Sequence, residues 1–168
     1  MAEDVKEYTQ RAVKLRSEGR LEEAVIAARK AISMDSDDAN AWWQLALAVI
    51  DKDGNAAALD ALNRVTKLAP GFAAGWCERA IAHSKQGDED AAIECAEGAL
   101  EADSTHVRSL RLLLYWLKLR KSSDDDERRL EMLRRLQDLD DLDEDEHFDL
   151  GYLLTNAGDD LEAARVYE

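Results

Sequence analysis

The sequence contains a single proline, Pro70, and eight glycines in 168 residues. Few positions therefore break a helix, and long helices have room to form. Cysteine is as scarce: Cys77 and Cys95 form no CxxC pair and no disulfide framework. Reduced thiols in a cytoplasmic protein are the corresponding expectation. The three histidines, His83, His106 and His147, are scattered, and none has a second ligand at metal-binding spacing. No phosphate-cradling glycine loop is present, and Cys77 has no histidine in a catalytic pattern. The sequence thus calls for no cofactor, no metal and no enzyme activity within these residues.

Long apolar runs and positive charge are missing too. The N-terminal stretch MAEDVKEYTQ has no apolar core, so it does not read as a signal peptide. The most apolar segment, LRLLLYWLKL at 110–119, is too short and too charged to span a bilayer. Twenty-two basic residues stand against 37 acidic ones, a net charge of −15. Nucleic-acid affinity rests on lysine and arginine releasing counterions, so nucleic acid is excluded as the expected partner. The acidic runs 124–127 and 140–146 lack the spacing of a calcium loop and suit helix N-termini instead.

What the chain does have is a period. Trp42 recurs as Trp76, Ala12 as Ala46 and Ala80, and Ala24 as Ala58 and Ala92, each step 34 residues. Ala31, Val65 and Ala99 are spaced in the same way. A period of this length marks stacked helix pairs. With 46% apolar and 35% charged residues, the chain can bury a core and keep a charged exterior.

Unit one spans 5–38, with Tyr8, Ala12 and Leu15 on one face of its helix A. Gly19 breaks that helix, and helix B runs from Leu21 through Ile32. The run Asp35-Ser36-Asp37-Asp38 supplies N-cap chemistry for the next helix. Unit two spans 39–72, with Trp42, Leu45, Ala46 and Val49 on helix A, an expected N-cap at Asn55, and Pro70 after helix B. Unit three spans 73–106, turning at Gly87-Asp88. Unit four, 107–143, is irregular: Leu114 stands where the others have alanine, and the turn 121–127 is long, with Ser123 or Asp124 as the expected N-cap. Gly87 and Gly158, and likewise Ala92 and Ala163, lie 71 residues apart, two periods and three residues more. A three-residue insertion in unit four therefore restores the register of unit five, 144–168.

These residues resemble the tetratricopeptide repeat (TPR) family. Its pattern has a bulky fourth residue, Leu-Gly or Leu-Ala at seven and eight, glycine near fifteen, alanine at twenty and twenty-seven, and proline at thirty-two. Unit two matches through Trp42, Leu45-Ala46, Ala58 and Pro70. Unit three matches through Trp76, Ala80, Gly87, Ala92 and Ala99, and unit five through Leu150-Gly151, Gly158 and Ala163. The resemblance implies an all-α fold, a right-handed solenoid of four full repeats and a truncated fifth, forming one domain over 1–168. The sequence stops within the second helix of unit five with no polar capping helix, so it reads as an N-terminal fragment of a longer protein.

Arrays of this kind offer extended binding surfaces, so the expected function is a protein-interaction scaffold holding a peptide or helix in a concave groove. Residues two, five, nine and twelve of each helix A are expected to line it. The apolar and aromatic members are Trp43, Leu47, Ile50, Cys77, Ile81, Tyr115, Phe148 and Tyr152, with Arg108, Arg111 and Lys118 as a basic end able to attract an acidic peptide. The lysine and asparagine clamp with which some members hold chaperone tails is absent: Thr9, Val13, Gln44, Ala74 and Glu78 occupy those positions. The alternatives are a regulatory arm of a larger protein with a downstream catalytic domain, a chaperone of secreted effectors, and self-association through the uncapped last repeat.

Overall fold

The computed structural model describes residues 4–120, 122 and 125–167. Among them are ten α-helices and no strand. None of the helices is long and apolar enough to cross a membrane. The chain divides into two compact units, Met1–Asp103 and Ser104–Glu168.

The first unit contains α1 (Val5–Ser17), α2 (Leu21–Met34), α3 (Ala39–Asp53), α4 (Leu59–Leu68), α5 (Ala73–Lys85) and α6 (Glu89–Ala102). Each odd-numbered helix packs against the helix that follows it. The seams are made of alanine. Ala12, Ala24, Ala46, Ala58, Ala80 and Ala92 are all buried to within 1%, and side chains this small let two helix backbones approach closely. Asp38 caps α3 by accepting from the Asn40 and Ala41 amides at 2.8 and 3.1 Å, and Asp88 caps α6 through the Ala91 amide.

The turns explain the glycine spacing. Gly19 and Gly87 take φ of 74° and 81°. Each precedes a residue whose amide reaches back five positions, Arg20 to Leu15 and Asp88 to His83, which ends the helix in a left-handed cap. Gly54 falls one residue late against this spacing, and α3 runs on to Asp53. The chain makes up the register in a tight 3-10 turn, Asn55–Ala58, which returns Ala58 to its periodic place. Asn55 is therefore not the N-cap expected of it. Its amide instead donates to the Glu78 carboxylate on α5 at 2.9 Å.

The two periodic tryptophans do one job twice. The Trp42 indole donates to the Ser36 carbonyl at 2.8 Å and the Trp76 indole to the Pro70 carbonyl at 2.9 Å. Donors and acceptors are each 34 residues apart. An arginine stacks on each ring, Arg64 over Trp42 and Arg79 over Trp76, at 5.3 and 5.2 Å.

The one break in the alanine pattern of the first unit is offset locally. Val65 replaces the alanine found at Ala31 and Ala99, and it is 1% exposed. Facing it is Gly75, where a Cβ would stand 2.8 Å from Val65 Cγ1. Ten residues after Ala31, the equivalent position holds Ala41, itself fully buried. The bulk added on α4 is thus removed on α5.

The second unit contains α7 (Val107–Arg120), α8 (Asp126–Asp138), α9 (Glu144–Asn156) and α10 (Asp160–Tyr167). Its core is leucine-rich, with Leu133, Leu150, Leu153 and Leu154 buried around Ala163. The expected N-cap at Ser123 or Asp124 lies outside the described residues. Asp125, just before α8, makes no capping bond. It is buried and held by Arg120 through Nε–H to Oδ2 at 2.7 Å, with Arg128 on Oδ1 at 3.4 Å. Asp143 caps α9 in a full capping box with Glu146. The Tyr167 ring lies directly over Gly151, closing α10 onto α9.

Candidate functional site

In the first unit the anticipated surface divides by depth. Trp43 projects from α3 and is half-buried, with its ring edge-on to Phe72 at 5.0 Å and 87°. This pair, with Ala39, Asn40, Val65 and Ala69, lines a cavity of about 250 Å³. Its walls are almost wholly apolar, and α3, α4 and the entry to α5 hold them in place. Leu47 and Ile81 are half-buried, and Ile50 packs onto the core around Ala46 and Leu62. Cys77 corrects the sequence expectation. At 1% exposure its thiol belongs to the core and offers no contact surface. Thr9 is likewise buried, its hydroxyl donating to the Val5 carbonyl at 2.7 Å.

Phe72 is the wall that spacing by helix A positions missed, although the sequence carries a signal for it. The residues one period away are Asp38 and His106, and Asp38 is a working N-cap. A phenylalanine at that place leaves α5 without a side-chain cap. Its ring meets Trp43 instead, a placement whose return is packing rather than capping.

In the second unit the aromatic residues stand out. Tyr115 on α7 is 58% exposed, and Phe148 and Tyr152, one turn apart on α9, are 63% and 52% exposed. Phe148 leans toward Tyr167 with ring centroids 6.2 Å apart. A cavity of about 170 Å³ opens beside Tyr115, bounded by Leu114, Leu133, Arg129 and the α9 carboxylates Asp145 and Asp149.

The basic end does not stand free. Arg111 donates from Nε to Glu146 Oε1 at 2.9 Å and from Nη2 to Oε2 at 3.2 Å. Its Nη2 also donates to the Asp141 carbonyl at 2.6 Å. Chiefly through the Glu146 hydrogen bond, this arrangement pushes the guanidinium pKa further up. Lys118 donates to Asp149 at 2.7 Å. Two of the three cations expected to draw an acidic peptide are thus matched by carboxylates on the next helix A. Arg108 lies at an exposed position on α7. A larger hollow of about 700 Å³ lies along α8 and the end of α9, over Leu130 and Leu153, and gathers none of the anticipated residues.

Among the described residues no group of three or more His, Cys, Asp and Glu side chains is placed to hold a metal ion. The two thiols are buried, and burial pushes that of Cys95 up in pKa, away from the thiolate form.

The tetratricopeptide repeat family model matches residues 6–38 and 73–106, which are units one and three of the period. No curated protein matches the sequence. Solved structures share the fold at low identity. A crystal structure of MamA protein aligns at TM-score 0.78 and 16% identity, over 99% of this chain and 90% of that one. MamA 41-end from Desulfovibrio magneticus RS-1 aligns at 0.72 and 20% identity, over 99% and 93%. YrrB, described as a TPR protein with an unusual peptide-binding site, aligns at 0.75 and 16% identity, over 97% and 82%. In period and repeat match, units one and three are tetratricopeptide repeats, and the chain as a whole shares the all-helical fold of these solved structures.

Proposed function

We propose that the chain is a protein-interaction scaffold that holds a peptide or a helix of its partner against the exposed sides of its A helices. The observation that carries this reading is the cavity beside Trp43. A hollow of about 250 Å³ walled by two aromatic rings in edge-to-face contact has room for one apolar side chain. Aromatic anchors of this kind dominate binding energies where they are already fixed in place before the partner arrives. The half-buried Leu47 and Ile81 extend the apolar character along α3 and α5. YrrB, of the same fold, is described as having a peptide-binding site, which is consistent with this use of the scaffold.

The test is a peptide selected by display against the purified chain and titrated calorimetrically. Trp43→Ala should weaken its binding about tenfold or more. Ile26→Ala, at a 66% exposed position on α2, should leave it unchanged. An unaltered Kd in a folded Trp43→Ala variant overturns the assignment.

Self-association is a second reading with its own observation. Leu161 on α10 is 81% exposed and Tyr167 is 53% exposed, which leaves two large apolar side chains of this helix open to a partner. Sedimentation velocity across a concentration series should show a rising mean mass that Leu161→Asp abolishes. A mass independent of concentration rules this out.

A further inference from the structure

We propose that the aromatic face of α7 and α9 in the second unit takes a cationic peptide segment, one that places an apolar side chain beside Tyr115 and a lysine or arginine against α9. This rests on the scaffold reading above and adds the chemistry of the partner. The site is the exposed aromatic surface. Tyr115, Phe148 and Tyr152 each leave more than half of their area in water. The cavity of about 170 Å³ next to Tyr115 gives that surface a recess. What sets the sign of its partner is the pairing around it.

The sequence alone suggested the opposite sign, because Arg108, Arg111 and Lys118 stand near the aromatics; Arg108 is not among the residues lining the cavity, and the other two are. In the structure both charges are spent. Arg111 is bound in a two-point contact with Glu146, and Lys118 is bound to Asp149. Arg129, the remaining cation on the cavity wall, is mostly buried and pairs with Asp126 at 2.8 Å. The carboxylates outnumber these cations. Asp145 lines the cavity, is exposed, and makes no ion pair among the described residues. Asp143 and Glu144 are exposed at the same end of α9. A ligand therefore meets aromatic faces, whose quadrupoles attract cations, beside carboxylates with no cation of their own. An acidic peptide meets paired arginine and lysine and unpaired aspartate, an arrangement that repels it.

The experiment uses the whole chain and two short fluorescent peptides that share one core of leucine and tyrosine. One is flanked by lysines, the other by glutamates. Fluorescence anisotropy should show the lysine peptide binding at least about tenfold more tightly, with the difference shrinking as salt rises. Asp145→Asn should weaken it about twofold to fivefold. Asp60→Asn, the same charge change at an exposed position on α4 of the first unit, should leave it unaltered. Tyr115→Ala and Phe148→Ala should each weaken it about fivefold or more. Both positions are exposed, and circular dichroism verifies that the variants fold.

Equal effects of Asp145→Asn and Asp60→Asn would show a diffuse attraction to an acidic protein and overturn the proposal. Tighter binding of the glutamate peptide overturns it as well. If neither peptide binds while the display-selected peptide still depends on Trp43, this inference fails and the scaffold reading stands. If that dependence is missing too, both fail.

Discussion

Replacing Gly75 by alanine tests the packing account at its most exposed joint. The new Cβ would lie 2.8 Å from Val65 Cγ1 and 3.2 Å from Phe72 Cδ1. Val65 is 1% exposed, and in a helix its β-branched side chain strongly prefers a single rotamer. Overpacking of this kind costs about 1–3 kcal/mol. Alanine returns about 1 kcal/mol in helix propensity, so a net loss of about 0–2 kcal/mol is expected. Val65→Ala alone removes two buried methyl groups and costs about 2 kcal/mol. The double variant recreates the pair that Ala31 and Ala41 form one period earlier, ten residues apart. It relieves the clash and keeps the propensity gain, so it should be no less stable than Val65→Ala. Urea midpoints at constant m-value, followed by circular dichroism, supply the three numbers. Effects that add to within about 0.5 kcal/mol would refute the claim that Gly75 exists to admit Val65.

Two further predictions concern single bonds. Trp76→Phe keeps one six-membered aromatic ring and removes the pyrrole part of the indole with its donor to the Pro70 carbonyl, 2.9 Å away. It should cost about 1 kcal/mol in urea unfolding, and Trp42→Phe should cost the same through Ser36. Effects that differ by several-fold would deny that the two tryptophans play one repeated role. Asp125 provides a pH test. Its carboxyl is held below the ordinary range first by the Arg120 hydrogen bond, aided by the charges of Arg120 and Arg128 and opposed by burial. A depressed native pKa means stability that is full above the unfolded value of about 3.9. That stability is lost as pH falls through the native value. Asp125→Asn should therefore flatten the acid limb of stability against pH, and unchanged curvature below about pH 4 contradicts the assignment.

Helix pairs, their order and the five-unit register were legible because alanine and glycine recur for steric reasons. Ala24, Ala58 and Ala92 are buried at helix seams, and only small side chains fit there. The three-residue insertion in unit four was legible for the same reason, since Gly158 and Ala163 resume the pattern beyond it. Depth was not legible. Cys77 and Trp43 hold the same place in consecutive units, yet one is core and the other walls an open hollow. Periodicity assigns a direction on a helix and says nothing of how closely the neighbouring helix approaches. Charge pairing was hidden differently. Arg111 meets Glu146 after 35 residues and Lys118 meets Asp149 after 31. Both distances are close to one period, so opposite charges one repeat apart on successive A helices are the signal that would have found them.

The central claim is that partners bind on the A-helix side, and the tryptophan side chains can report it directly. Trp42 and Trp76 have their indole N–H groups bonded to backbone carbonyls, whereas Trp43 lines the open cavity. In a nitrogen–proton correlation spectrum their indole signals are separate probes of the two faces. Titration with the display-selected peptide should move the Trp43 indole signal and leave those of Trp42 and Trp76 in place. Movement of Trp42 and Trp76 with Trp43 unchanged would put the partner on the other side and contradict the account.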